Sequence, residues 1–448
     1  MKMKKLLSSI ILSCVLTLTA CDNFLDVVPV GSVIPSTLTE YRALLTRSYL
    51  DVSSLRDRGM ACLRTYELKA LTGEYSNYDA YRDIENWNDD NPNLGTYSFE
   101  WERYYNIIFI ANEVIAAGNG IKEGSAADIN QLVGEAYMLR AYMHFTLVNL
   151  FGQPYTKDGA LASKAIPLKL DNDLEKVLSR NTVEEVYQSI QSDLDQAREL
   201  ITVEKWDDAY IYRFNTLSVE AFQSRLSLYK GEWESSLKAS ELVLAKNNKL
   251  EDLNNAEALT PNENKSVENI TALEKVITNG FKNDMVISKQ FADKYAPEDL
   301  RLKKYFGAAD SEGHLPIIKG GNSDFLCSFR TGEIYLNAAE AAAQAGNQAK
   351  AKQYLLKLMQ NRYPAAAYAA KETAVNAMQK EALITEILAE RERELALEGH
   401  SWFDLRRTTR PQMTKTIAGK TYTLQADDPR YTLQIPKEAL EVNPGLRN

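Results

Sequence analysis

The densest collection of reactive residue types in the chain is RERELALEGHSWFDLRR, residues 391–407. It holds three Glu, one Asp, one His and four Arg around Trp402 and Phe403. Paired carboxyl groups can act as general acid and base, and a His titrates near neutral pH. Glycoside hydrolysis needs two carboxyl groups roughly 5–9 Å apart. Acidic residues are so frequent here that such a pair can be drawn almost anywhere. The chain has only three His: His144, His314 and His400. No HExxH, no GxSxG, no Gly-rich phosphate loop after a strand and no EF-hand loop occurs. The stretch reads better as the end of a helix that starts near Glu381. Leu383, Ile387, Leu388 and Leu395 supply its apolar stripe, and Gly399 stops it. Arg391, Glu394, Glu398, Asp404 and Arg406 are then expected to be partly buried and ion-paired, a clasp rather than an active site.

Residues 75–105, YSNYDAYRDIENWNDDNPNLGTYSFEWERYY, offer different chemistry. Tyr75, Tyr78, Tyr81 and Trp87 stand among Asn, Asp, Gly and Pro, which favour loops. An exposed ring can stack on the C–H face of a sugar while Asn, Asp and Arg bind its hydroxyls. These four residues are the candidate ligand contacts. The competing reading is that the rings pack the loop onto its frame. Packing is the better reading for Trp101, Tyr104 and Tyr105, which run into IIFIANEVI.

The elements that must position these groups are mostly helical. Thr37 to Glu40 has capping-box spacing, as does Thr182 to Glu185. In 128–150, Ile129, Leu132, Val133, Ala136, Leu139, Met143, Leu147 and Leu150 recur at helical spacing, ended by Gly152 and Pro154. Residues 216–246 and 331–360 each read as helix, Gly-containing turn (Gly231, Gly346) and second helix. That is the unit of tetratricopeptide repeats, with small residues where helices approach closely. The fold class is mainly α: tetratricopeptide-like repeats interrupted by irregular insertions with a few short strands. Repeat helices are placed at about 96–150, 181–246 and 329–407. Candidate ligand loops fall at about 55–95 and 250–328. Asn, Lys and Glu make 247–284 read as a solvated excursion. KTIAGKTYTL, residues 415–424, reads as a hairpin around Ala418 and Gly419.

The N-terminus has Lys2, Lys4 and Lys5 before an apolar run, Leu6 to Leu18, shorter than the ~20 residues that span a bilayer. Leu18-Thr19-Ala20-Cys21 follows, similar to a bacterial lipobox. Residues 1–20 read as a lipoprotein signal peptide, with cleavage before Cys21 and lipid on its thiol. The formal charge of −9 becomes −12 once the three Lys leave, since no acid leaves with them. Such an acidic chain has no general attraction to nucleic-acid phosphates. Cys62 and Cys327 remain, either as an exported disulfide or as two buried thiols. No CxxC occurs, so a zinc site is not supported, and no cofactor is expected.

ELALEGHSWFDLRR (394–407) closely resembles the C-terminal signature of the SusD/RagB family of Bacteroidetes outer-membrane lipoproteins. Four regions agree in order: Cys21 to Asp26 with Pro29, RAYMHFTLVNLFGQPY (140–155), FRTGEIYLNAAEAAAQAGN (329–347) and LQIPKEALEVNPGLRN (433–448). Leu397 and Ser401 depart from the family's usual aromatic residue and Arg. The resemblance implies one SusD-like domain over 21–448, with repeats facing a SusC-like TonB-dependent outer-membrane barrel and loops facing a ligand. It implies capture of an oligosaccharide, or in some members a peptide, at the cell surface, without catalysis. The family's ligand residues sit in variable loops, so the resemblance carries none of them over.

Overall fold

The computed structural model describes residues 34–72, 77–311 and 313–447. Tyr75, Cys21 and the signal segment lie outside the described residues. The helices used below are α1 (Leu38–Ser53), α2 (Tyr78–Glu85), α3 (Glu102–Ala117), α4 (Ala126–Phe151), α5 (Val183–Leu200), α6 (Thr216–Lys230) and α7 (Trp233–Lys246). Five more follow: α8 (Thr331–Gln344), α9 (Gln348–Met359), α10 (Ala365–Ala377), α11 (Lys380–Glu394) and α12 (Ser401–Arg407). No helix among the described residues is long and apolar enough to cross a membrane.

Both expected capping boxes form. Thr37 accepts from the Glu40 amide and Thr182 from that of Glu185, while each Glu carboxylate reaches back to its cap. These side chains satisfy amides that have no intrahelical partner. α4 runs for 26 residues from a Ser125 cap to Gly152. Gly152 is required there: a Cβ would lie 2.8 Å from the Val148 carbonyl oxygen and 2.9 Å from Ala165 Cβ.

The helices stack in succession. α1 packs on α3, α3 on α4 and α4 on α5; α6 pairs with α7 and α8 with α9. α8 also packs against α7 and α11. Three close neighbours explain its Ala-rich sequence: Ala338, Ala339, Ala341, Ala342 and Ala343 are all fully buried. The expected helix–turn–helix units are present. Gly231 and Gly346 make their turns at φ 74 and 87, a region that disfavours a Cβ. Between α6 and α7 the small residues do what close approach requires. Ser224 and Ser240 hydroxyls meet at 2.8 Å, and Ser236 donates to the Ser224 carbonyl.

Strands are short. β1 (Leu68–Ala70), β3 (Met285–Ile287) and β4 (Leu315–Pro316) form a sheet in the order β1-β3-β4, antiparallel at both joins. β2 (Asn269–Thr271) pairs with β5 (Phe329–Arg330). β6 (Met413–Ile417) and β7 (Lys420–Leu424) are the expected hairpin, turning at Ala418 and Gly419.

Two apolar cores result. One runs through the repeat helices and includes Trp87, Trp402 and Phe403. The other lies under the three-stranded sheet and gathers Met60, Cys62, Tyr81, Phe281, Phe291 and Leu397. Each fully buried large apolar side chain contributes roughly 1.5–3 kcal/mol.

Several expectations need correction. Residues 247–284 are not a solvated excursion: Leu253, Ile270, Ala272, Leu273 and Phe281 are buried, as are Glu251 and Glu268. The polar residues there serve the backbone and each other, as where Glu251 accepts from the amides of Leu259 and Val267. Of the two readings of Cys62 and Cys327, the structure has the buried free thiols. α11 stops at Glu394, before Gly399, and a second short helix, α12, carries Trp402 and Phe403. Gly399 still turns the chain at φ 72, with Arg58 Cβ only 2.7 Å from where its own Cβ would be.

Candidate functional site

The Arg391–Arg407 groups do not form an open site. Glu394 is fully buried and receives three guanidinium groups: Arg301 at 3.0 Å, Arg330 at 2.7 Å and Arg362 at 2.9 Å. Glu398 takes two bonds from Arg330 at 2.8 Å and one from Lys319 at 2.6 Å. Asp404 joins Arg391 and Arg407, each at 2.8 Å. Burial alone would raise these carboxyls, but the surrounding cations hold all three below the ordinary range. A carboxylate so committed has no proton to offer and no free face for substrate. Burial also lowers His144, to about 3, and His400, so both are neutral at physiological pH. The expected clasp therefore exists, with one exception. Arg406 has no carboxylate partner among the described residues. It donates to the carbonyls of Asn149, Gly152 and Tyr431, tying the end of α4 to the C-terminal segment.

The aromatic stretch is loop over 86–101, as read, but not just before it. Residues 78–85 form α2, with Asp79 in the first turn and Arg82 in the last, matching the helix dipole. Tyr78 is half-buried. Tyr81 is buried, its ring edge-on to Tyr97 (5.0 Å) and Phe281 (5.6 Å). Trp87 is 0% exposed. Its indole N–H donates to the Arg64 carbonyl at 2.9 Å, and the Lys415 ammonium sits 5.0 Å from the ring centroid. The expectation that Trp87 and Tyr81 offer open stacking faces is corrected: both rings are core. Trp87 holds φ 61, rare for a bulky residue, and its burial and indole bond keep it there.

The polar residues of the stretch build a turn around one carboxylate. Asp83 accepts from the Asn93 amide (2.5 Å), the Asn93 and Asn88 side chains (2.9 and 3.1 Å) and the Thr96 hydroxyl (2.7 Å). Burial pushes Asp83 up, but these bonds more than reverse it, leaving it below its ordinary value. The turn is one wall of a cleft of about 160 Å³; residues 433–438 form the other. Asn88, Asp89, Thr96, Tyr97, Phe99 and Gln434 line it. Tyr97 is half-buried, with the Arg56 guanidinium 4.7 Å above its ring. Asp89 is fixed by two 2.7 Å bonds from Arg64. Amide and carboxylate oxygens beside aromatic edges suit a ligand rich in hydroxyls. The cleft is smaller than the ~300–1,000 Å³ of pockets that engulf a ligand, so it fits one unit or one end of a longer molecule. Tyr97 and Gln434 both stand in stretches that sequence singles out. Only their meeting across more than 300 positions of chain was hidden.

Helical repeats carrying irregular loops, with a small polar and aromatic cleft at their edge, define a class: a binding scaffold with the fold of SusD superfamily structures. A SusD superfamily protein from Bacteroides thetaiotaomicron superposes with a TM-score of 0.74 at 22% identity, covering 92% of this chain and 99% of that one. A SusD-like carbohydrate binding protein from Bacteroides vulgatus superposes at 0.70 with 18% identity, covering 92% and 97%. Two family models match in succession: one described as starch-binding, associating with outer membrane, over residues 23–228, and the SusD family over 288–448. The chain belongs to the SusD/RagB family. It is 30% identical over 156 residues to SusD-like protein P38 of Formosa agariphila, covering 35% of this chain and 28% of that protein. It is 26% identical over 239 residues to SusD-like protein P2 of the same organism, covering 51% and 44%. The chain thus spans under half the length of these two relatives.

Proposed function

We propose that this protein is a carbohydrate-capturing lipoprotein of the outer membrane that passes an oligosaccharide to a SusC-like TonB-dependent barrel. Residues 21–448 act as one unit anchored through lipid on Cys21. Capture is equilibrium binding, with no bond made or broken. The observation that carries this reading is the cleft between the Asp83-centred turn and residues 433–438, where Asn88, Asp89 and Gln434 stand beside the Tyr97 and Phe99 rings. Its turn is held by hydrogen bonds before any ligand arrives, which limits the ordering cost of binding. Family membership supports the location and the ligand class. Tyr75 and Tyr78 are the remaining candidates from the aromatic stretch, at the start of the same segment.

Calorimetry of the purified protein against glycan and peptide panels tests this. A glycan is expected to bind, and Tyr97→Ala with Gln434→Ala to weaken it at least about tenfold, since a hot-spot contact is worth ~2 kcal/mol. Peptide binding alone would assign the protein to peptide capture. Glycan binding unaffected by the double variant would move the site elsewhere, and release of a cleaved product would overturn the non-catalytic reading. Protease accessibility on intact cells, in the parent and in Cys21→Ser, checks anchoring and display.

A further inference from the structure

A groove of about 780 Å³ opens where α5 passes to α6, against the end of α7 and residues 264–270. It shares no lining residue with the cleft. Its floor is aliphatic, with Ile201, Leu217, Leu242, Val267 and Ile270. Leu242 and Val267 are 48% and 44% exposed, and neighbouring Tyr210 is 42% exposed. Leu242 and Val267 thus share one groove instead of being scattered singly over the surface.

The rim reverses the charge of the chain. Five cationic and three acidic side chains line the groove. Arg198 pairs with Glu220 at 2.8 Å and Lys246 with Glu204 at 3.4 Å. Among the described residues this leaves the ammonium groups of Lys205, Lys249 and Lys265 against Asp208. In a chain of net charge −9 this is a local cationic rim over a greasy floor. The walls are already built. The Trp206 indole donates to the Phe214 carbonyl at 2.9 Å, and the Arg213 guanidinium lies 4.1 Å from the Tyr210 ring centroid. The Asn264 amide donates to the Asp324 carbonyl at 2.6 Å.

We propose that this groove docks an acidic polypeptide segment of a partner protein, extended along the floor, with aliphatic or aromatic anchors between its carboxylates. An aliphatic floor ringed by charge is the anatomy of a protein interface. A sugar chain stacks on several flat rings, whereas Trp206 is the one aromatic residue among the aliphatic and charged side chains that line the groove.

Panning a random peptide library on the full chain tests the proposal. Peptides with Asp or Glu beside Leu, Ile or Phe are expected to enrich. A synthetic consensus peptide should lose at least tenfold in affinity to the triple variant Lys205→Glu, Lys249→Glu, Lys265→Glu, and likewise to Leu242→Asp. Unchanged melting curves confirm that these exposed substitutions leave the fold intact. Binding should weaken from 0.1 to 1 M salt, as the Debye length shrinks from about 10 to 3 Å. Tyr97→Ala should leave it unchanged, which separates this groove from the cleft. The proposal falls if no acidic–apolar consensus emerges, or if the triple variant binds the peptide as well as the parent. It also falls if only a polyanionic glycan such as polygalacturonate binds with this Lys dependence.

Discussion

Glu394 shows how one side chain can be misread from its type and still be placed correctly by its pattern. Its neighbours in sequence suggest acid–base chemistry, yet three guanidinium groups consume its oxygens. Around it the space is full. A Cβ on Gly332 would lie 2.1 Å from an Arg330 nitrogen and 2.7 Å from Glu268, so only glycine fits. Removing one member of such a buried cluster strands the others without compensation, at about 3–5 kcal/mol. Glu394→Gln is therefore expected to lower the urea midpoint sharply. The pH dependence has a defined sign. Glu394, Glu398 and Asp404 are all held below their ordinary values. Their stabilisation is complete above the unfolded-state values, about 4.3 for Glu and 3.9 for Asp, and is lost as the pH falls through the lower folded ones. The acid side of the stability curve should be shallower in Glu394→Gln than in the parent; identical slopes would mean that this carboxylate does not drive acid unfolding.

At the scale of elements, local signals were legible wherever local physics decides. Capping boxes, helical periodicity, the Gly231 and Gly346 turns and the 413–424 hairpin all follow from neighbouring residues. The hairpin turn also carries a measurable imperfection. Ala418 and Gly419 sit at φ 48 and 77, the pattern that favours Asn-Gly. An ordinary L-residue pays roughly 1–2 kcal/mol there, and Asn less. Ala418→Asn should raise the melting temperature slightly; a fall would show that the methyl group packs usefully. What failed was the reading of polar stretches. Residues 86–101 are loop, as their Asn, Asp, Gly and Pro suggest, but the loop folds back on Asp83 rather than opening to water, and it and α2 carry Trp87 and Tyr81 into the cores. Residues 247–284 failed for the same reason, because composition does not say whether polar groups face water or each other. The cleft needed residues 83–99 and 433–438 together, a juxtaposition no local pattern contains.

On the scale of the molecule, the two cores are joined by short stretches that belong to both. Leu395 packs in the repeat core while Ala396 and Leu397 pack under the sheet. Trp87 and Tyr81 divide in the same way. Neither core can open without disturbing the other, so unfolding should be a single transition. Tryptophan fluorescence and far-ultraviolet circular dichroism should give coincident urea curves. Separated midpoints would mean that the loop core melts on its own.

The arginine cluster has a further bearing on how the chain acquires its structure. Its members Glu268, Arg301, Arg330, Arg362, Glu394 and Glu398 come from five separate segments of the C-terminal half. Glu268 pairs with Arg330 and Arg362, and Asp299 with Arg301, but the cluster is complete only when Glu394 and Glu398 arrive to bridge these groups. Contacts of such long sequence separation form slowly, because loop closure must precede their reward. The C-terminal half thus closes its charge cluster late, and a chain interrupted before Glu394 would leave Arg330 and Arg362 sharing the Glu268 carboxylate.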